Sequence, residues 1–275
     1  ITSSTDKTVA VTHRGSSYDS YSDEYSGAVT IPESVTYNGN TYSVTSIGDY
    51  TFYKCSSLTS VVIPNSVTSI GSSAFYDCDG LTSVVIPNSV TSIGEKAFFA
   101  CSGLNSLTIG TGVLSIGSNQ CTPKKTIWLT NTPPSGWAKL KGTINYVANE
   151  QYGSTSDVKV YPYLSSIFET NGIKYVPVSP SERTCDAIDC NYDSAVEEIN
   201  IGETVSYRGV AMTVKNVMPY VAYGQKTVKQ LSVSNKGDVG ASAFYGCTAI
   251  TNATISNEGS IGASAFEGAM TSENA

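Results

Sequence analysis

The chain has 275 residues, enough to bury a sizeable core as one extended repeat array or as two smaller domains. Only 14% of them are charged, while Ser, Thr, Gly, Val and Tyr abound, which favours strands and turns over helices carrying Glu, Lys and Arg on their surfaces. A formal charge of −7 has the wrong sign for neutralising phosphates, so no nucleic-acid partner is expected, and no apolar run is long enough to be a transmembrane segment.

The chain opens at Ile1 rather than Met, which reads as a processed or trimmed segment. Arg14 to Gly27 sets Tyr18, Tyr21 and Tyr25 among Ser, Asp19, Asp23 and Glu24, the mixture of an adaptable recognition loop, although a plain surface loop has the same composition. From Val35 to Val44 a strand pair is expected around Asn38-Gly39, a strong hairpin signal. Residues 1–46 are therefore read as an N-terminal β-hairpin cap.

A repeat then takes over. Ile47-Gly48, Ile70-Gly71, Ile93-Gly94 and Ile116-Gly117 recur every 23 residues, and the same interval relates Phe52, Phe75 and Phe98, Cys55, Cys78 and Cys101, and Leu58, Leu81 and Leu104. Within a unit, Leu58, Val61 and Ile63 give L-x-x-V-x-I, the strand pattern of a leucine-rich repeat, which Pro64 then ends. Val67 and Ile70 are placed to reach the core on the return side. The Gly after Ile70 suits either a positive φ or a close approach of neighbouring coils. Ala74, Phe75 and Cys78 lie at helical spacing, so one or two helical turns are expected there. One coil cannot bury both of its faces, so like residues must stack on like. Residues 47–147 are read as the first repeat block, with Ile127, Leu129, Ile144, Tyr146 and Val147 in degenerate strands at its end.

Pro162, Pro177 and Pro180 punctuate residues 148–180, which are read as a linking segment. Ile201, Val205, Tyr207, Gly209, Val214 and Val217 repeat Ile31, Val35, Tyr37, Gly39, Val44 and Ile47 at an offset of 170, so residues 181–217 are read as a second β-hairpin cap around Arg208-Gly209. Residues 218–275 form a second, incomplete repeat block, with Val239-Gly240 and Ile261-Gly262 only 22 apart.

The string from Leu58 to Cys78, repeated almost letter for letter from Leu81 to Cys101, resembles the repeat of the BspA-like leucine-rich-repeat family. The resemblance implies a mainly β leucine-rich-repeat solenoid with short helical turns, a right-handed β-α superhelix with β-hairpin caps and two related halves. It also implies an exported bacterial protein, extracellular or on the outer cell surface, active in adhesion rather than catalysis and binding host or matrix proteins or other cells.

The residue inventory agrees with a non-enzyme that holds no cofactor and no metal. His13 is the only histidine, so a metal site of the H-E-x-x-H kind is excluded. Cys55, Cys78 and Cys101 read as a buried ladder of small apolar side chains. Cys185 and Cys190 lie outside the repeats, where a local disulfide or two free thiols are both open readings. Asp186, Asp189, Asp193, Glu197 and Glu198 lack a calcium-loop register and read as a solvated face. Partner-binding candidates are the loop tyrosines Tyr18, Tyr21 and Tyr25 and the outward strand positions Thr59, Val62, Thr82, Val85, Asn105 and Thr108. The expected partner is a protein ligand. A glycan is the alternative, with Trp128, Trp137 and the tyrosines as stacking platforms.

Overall fold

The structure, a computed structural model, describes residues 1–14, 17, 23–118, 120, 123–130, 133, 144–147, 158–190 and 196–269. It is mainly β, with almost no helix, and divides into two compact units, Ile1–Val160 and Tyr161–Ala275. In the first, β1 (Thr8–Val11) and β2 (Gly27–Thr30) precede the expected hairpin of β3 (Ser34–Tyr37) and β4 (Asn40–Ile47), whose turn places Asn38 at φ 49 and Gly39 at φ 73. Then follow β5 (Leu58–Val62), β6 (Ser69–Ile70), β7 (Ser83–Ile86), β8 (Ser92–Ile93), β9 (Ser106–Ile109) and β10 (Ser115–Ile116). After these come β11 (Lys125–Trp128), β12 (Ile144–Val147) and β13 (Val158–Val160).

Each repeat gives one strand to each of two sides. The Ile-Gly segments form a parallel ladder in which Ile47, Ile70, Ile93 and Ile116 lie in register. The L-x-x-V-x-I strands β7 and β9 pair in parallel, continued by β11, β12 and β13. Between the two sides lies one core, which includes Val67, Phe75, Leu81, Val84, Ile86, Val90 and Ile93. The phenylalanines form a column: Phe52 and Phe75 stack at 4.9 Å, Phe75 and Phe98 at 5.1 Å, with interplanar angles of 10° and 3°. Like residues do sit over like.

The turn from Ser72 to Cys78 is not helical. Ser73 and Asp77 have φ of 53 and 58, as do their counterparts Tyr50, Lys54, Lys96 and Ala100 within a few degrees. A left-handed residue cannot continue a right-handed helix. The backbone N–H groups of Ser73, Phe75 and Asp77 instead donate to the carbonyls of Glu95, Ala97 and Phe99 at 2.9, 2.7 and 2.8 Å. Donors that a helix would satisfy internally are spent on the next repeat. The Ile-Gly glycine is explained by close approach: a Cβ at Gly94 would lie 2.5 Å from the Ser72 nitrogen, and one at Gly117 2.4 Å from that of Glu95.

The second unit begins with a single 3-10 turn (Leu164–Ser166), β14 (Phe168–Thr170), β15 (Ile173–Ser179) and β16 (Thr184–Cys190). It continues with β17 (Glu198–Ile201), the hairpin of β18 (Thr204–Tyr207) and β19 (Val210–Val217), and the repeat strands β20 (Gln230–Val233) and β21 (Asn252–Ile255). One sheet runs β14-β15-β16-β19-β18, and a parallel one runs β17-β20-β21. Within residues 148–180, β14 and β15 form an antiparallel pair around the Asn171-Gly172 turn. Pro177 sits at a register shift against β16, where a sheet admits proline, so it does not end the strand.

β16 has sheet neighbours on both sides and buries Cys185 to Cys190, which decides between the two readings of the cysteines and overturns the solvated reading of the acids on this strand. Cys185 and Cys190 form no disulfide with each other, standing opposite Pro177 and Ile173 along one extended strand, too far apart to bridge. Asp186 and Asp189 are buried rather than solvated. Asp186 accepts from the Tyr161 hydroxyl at 2.7 Å and from the Asn216 backbone and side-chain nitrogens at 2.9 and 3.0 Å, and Asp189 pairs with Lys174 at 3.0 Å.

Candidate interaction surface

In β5 and β7 the strand pleat turns Val61 and Val84 inward and leaves Val62 and Val85 outward, 57% and 49% exposed. Thr59 is exposed beside Val62, and Thr82 is half-buried. The row does not persist. Asn105 and Thr108, its expected continuation, are buried at 7% and 8%. Val85, Thr108, Ile127 and Tyr146 lie in register, and the last two are fully buried, so the outward face is surface at β5 and β7 and interior from β9 onward. Nearly identical letters in successive repeats conceal this change, because it is set by neighbours rather than by the repeat itself.

Tyr25 is half-buried and closes the phenylalanine column. Its ring meets that of Phe52 edge-on at 4.8 Å, and its hydroxyl donates to the Thr12 carbonyl at 3.1 Å. Burial pushes its phenol above the ordinary range. Asp23 accepts from the Ser57 backbone nitrogen at 2.8 Å, the chief cause that holds its pKa below the ordinary carboxylate value, and from the hydroxyls of Ser56 and Ser57 at 3.2 Å. The end of this loop is therefore pinned to the first repeat. Tyr18 and Tyr21 lie outside the described residues, as does Trp137. Trp128 cannot serve as a sugar platform: it is fully buried, with its indole nitrogen donating to Asn145 Oδ1 at 2.9 Å.

A second ring column went unread in the sequence although it obeys the same interval. Tyr53, Tyr76 and Phe99 each follow a core phenylalanine position and stack at 5.0 and 5.4 Å on the outer side of the turns. Tyr50 packs edge-on against Tyr53 at 5.7 Å, and the Lys54 ammonium lies 5.3 Å from the Tyr53 ring centre. The column is half-buried at Tyr53 and Tyr76 and reaches 38% exposure at Phe99. Tyr223 and Tyr245 repeat the arrangement in the second unit at 5.1 Å.

The cysteine ladder is more than apolar filling. The thiols of Cys78 and Cys101 donate to the carbonyls of Phe52 and Phe75 in the preceding repeat, at 3.0 and 2.9 Å, and Cys247 does the same to Ala222 at 3.0 Å. The Phe52 and Ala222 carbonyls also accept from the Cys55 and Gln225 backbone nitrogens, so the thiol is a second donor that alanine or valine would not supply. Burial pushes the Cys247 thiol up to about 12 and raises Cys78 further still, which keeps both protonated and able to donate. Gln120 carries a related role at the end of the stacked turns. Its side chain accepts from the Phe98 nitrogen at 3.1 Å and donates to the Gly94 and Gly117 carbonyls at 2.7 and 3.1 Å.

Parallel repeats with equivalent residues in register, joined by alternating turns and almost no helix, define a leucine-rich-repeat protein. A family model described as "BspA type Leucine rich repeat region" matches residues 29–132 and 188–273 in six copies, and the chain belongs to this family. Among solved structures it is similar to a leucine rich cell surface protein of Faecalibacterium prausnitzii, at 20% identity, covering 91% of this chain and 73% of that one with a TM-score of 0.32. It is also similar to the pneumococcal vaccine antigen PcpA, at 14% identity over 88% of this chain and 76% of that one with a TM-score of 0.32. A leucine rich repeat protein of T. pallidum matches at 18% identity, covering 44% and 71%, with a TM-score of 0.34. A comparison with curated proteins found no match. No enzyme family is indicated.

Proposed function

We propose that the chain is a protein-interaction module, displayed on or secreted from a bacterial cell, that adheres to host or matrix proteins or to other cells. The two blocks of repeats wind as right-handed solenoids, with the hairpins at β3–β4 and β18–β19 covering their leading ends. The observation that carries this reading is the ladder of half-exposed rings at Tyr53, Tyr76 and Phe99, which repeats a protein-binding chemistry at fixed spacing on a rigid frame. Aromatic side chains dominate interface energetics because they desolvate a large area at low entropic cost. Thr59, Val62, Thr82 and Val85 supply a second, flatter contact surface. The test is adhesion of the intact chain to immobilised extracellular-matrix proteins and to intact host cells. The double substitution Y76A/F99A is expected to weaken binding about tenfold or more while the chain stays folded. Unchanged adhesion in that variant removes the ring ladder from the account, and strong binding to purified neutral oligosaccharides with no protein ligand replaces it with a carbohydrate-binding module.

A further inference from the structure

In the second unit β14 and β18 are the two edges of one five-stranded sheet, yet Phe168 and Tyr207 bring their rings to 4.6 Å. The sheet therefore curls on itself. At the end where the β15–β16 and β18–β19 turns lie, a cavity of about 380 Å³ opens, lined by Tyr163, Pro177, Tyr207, Met212 and two arginines, Arg183 and Arg208. The mouths of curled sheets are common ligand sites, and this volume is within their usual range.

The arginines are the informative part. The whole chain contains three, and two of them line this cavity. Among the described residues neither forms an ion pair with a carboxylate. Arg208 instead lies over the Tyr207 ring at 5.2 Å. Both occupy turn positions with left-handed backbone, φ 54 at Arg183 and φ 50 at Arg208. Such positions favour Gly, Asn or Asp, and the corresponding turn of the first unit does place Asn38 there, at φ 49. Two neighbouring turns thus place a guanidinium each at the lining of one cavity, where a single anionic group can meet both.

We propose that this cavity binds an acidic, apolar peptide segment of a protein partner, in which a carboxylate sits beside a bulky apolar side chain. The guanidinium groups take the carboxylate, with the paired geometry that suits them to it. Tyr163, Pro177 and Met212 take the apolar side chain. A neutral sugar fits less well, because it leaves both guanidinium charges without a counter-charge that a carboxylate supplies. The site is separate from the ring ladder of the first unit, so either reading can fail without the other.

The test uses the intact chain and an acetylated, amidated peptide of alternating leucine and glutamate, with its leucine and glutamine counterpart as control. Titration calorimetry and the Met212 methyl resonance report binding. The glutamate peptide is expected to bind and shift that methyl, to bind about tenfold or more tightly than the glutamine peptide, and to weaken toward half-molar salt. R183Q should weaken binding about tenfold. Arg208→Asn should do the same while leaving the unfolding midpoint equal or higher, since asparagine suits that backbone better, a combination that a purely structural arginine would not produce. The proposal is overturned by no binding at millimolar peptide, by equal affinity for the two peptides, or by unchanged affinity in both variants. Displacement by polygalacturonate or inorganic phosphate at matched charge also overturns it, in favour of an acidic glycan or a phosphate ligand.

Discussion

Where the first unit stacks Phe52, Phe75 and Phe98, the second places Ala222, Phe244 and Phe266. Cys247 identifies the equivalence, donating to the Ala222 carbonyl as Cys78 does to that of Phe52. The backbone path hardly changes. Phe52 and Lys54 donate to the next repeat at 2.7 Å, and Ala222 and Gly224 do so at 2.8 and 2.7 Å. The hydrogen-bond ladder between repeats therefore sets the course of the chain, and the side chains decide how much stability each turn contributes. The first unit puts a buried ring in all three of these turns and closes the column with Tyr25. In the second, a methyl opens the column and Phe266 ends it half-buried.

The sharpest test of that contrast is truncation within each column. Phe75→Ala should cost about 3–5 kcal/mol in denaturant unfolding, because its neighbours on both sides leave the cavity unfilled. Phe266→Ala, with a ring neighbour on one side only, should cost about 1–2 kcal/mol. Equal losses would erase the distinction. Close approach gives the next largest effect. Gly94→Ala should cost about 3 kcal/mol, since its Cβ meets fixed backbone, whereas Gly39→Ala, with nothing within 4 Å and φ +73, should cost about 1 kcal/mol from backbone conformation alone. Reversal of that order would show that close approach is not what selects the Ile-Gly glycines.

Cys78→Ala should cost about 1–2 kcal/mol through the lost thiol donor and the small void, and a neutral result would return the ladder to simple apolar filling. The smallest effect distinguishes the second unit by pH. Desolvation raises Asp186 above the ordinary carboxylate value, an effect only partly offset by Tyr161 and Asn216. The native state then holds this proton at a pH where the unfolded chain has released it, so the group's contribution to stability rises as pH falls from its raised native value toward 3.8. Asp186→Asn should remove that component of the slope, and identical pH profiles for the two proteins would contradict it.

Much of this was legible at 23-residue spacing. The ladders of Ile, Phe, Cys and Leu locate the repeats from Ile47 to Ile116, though not β11 or β12 beyond them, and Asn38-Gly39 and Arg208-Gly209 locate both hairpins. The turn conformation was not legible, because Ala74, Phe75 and Cys78 do fall at helical spacing and nothing in Ser73 or Asp77 announces a left-handed backbone. Nor was the burial of Asn105 and Thr108, which depends on Ile127 and Tyr146 lying beside them. Asp186 and Asp189 look solvated in a string of acids; their place on a strand with neighbours on both sides is a property of the sheet. Tyr53, Tyr76 and Phe99 were visible at the right interval but stood in the shadow of the phenylalanines before them.

The central claim is that successive repeats are interchangeable layers whose equivalent side chains share one interior. Excision of residues 72–94, one full period, joins Gly71 to Glu95 and reproduces the junction that Gly94 makes now. Far-ultraviolet circular dichroism and denaturant unfolding of that shortened chain should show the same β spectrum and a single cooperative transition for the first unit, at modestly lower stability. A chain that fails to fold after removal of one exact period would contradict the stacking of like on like.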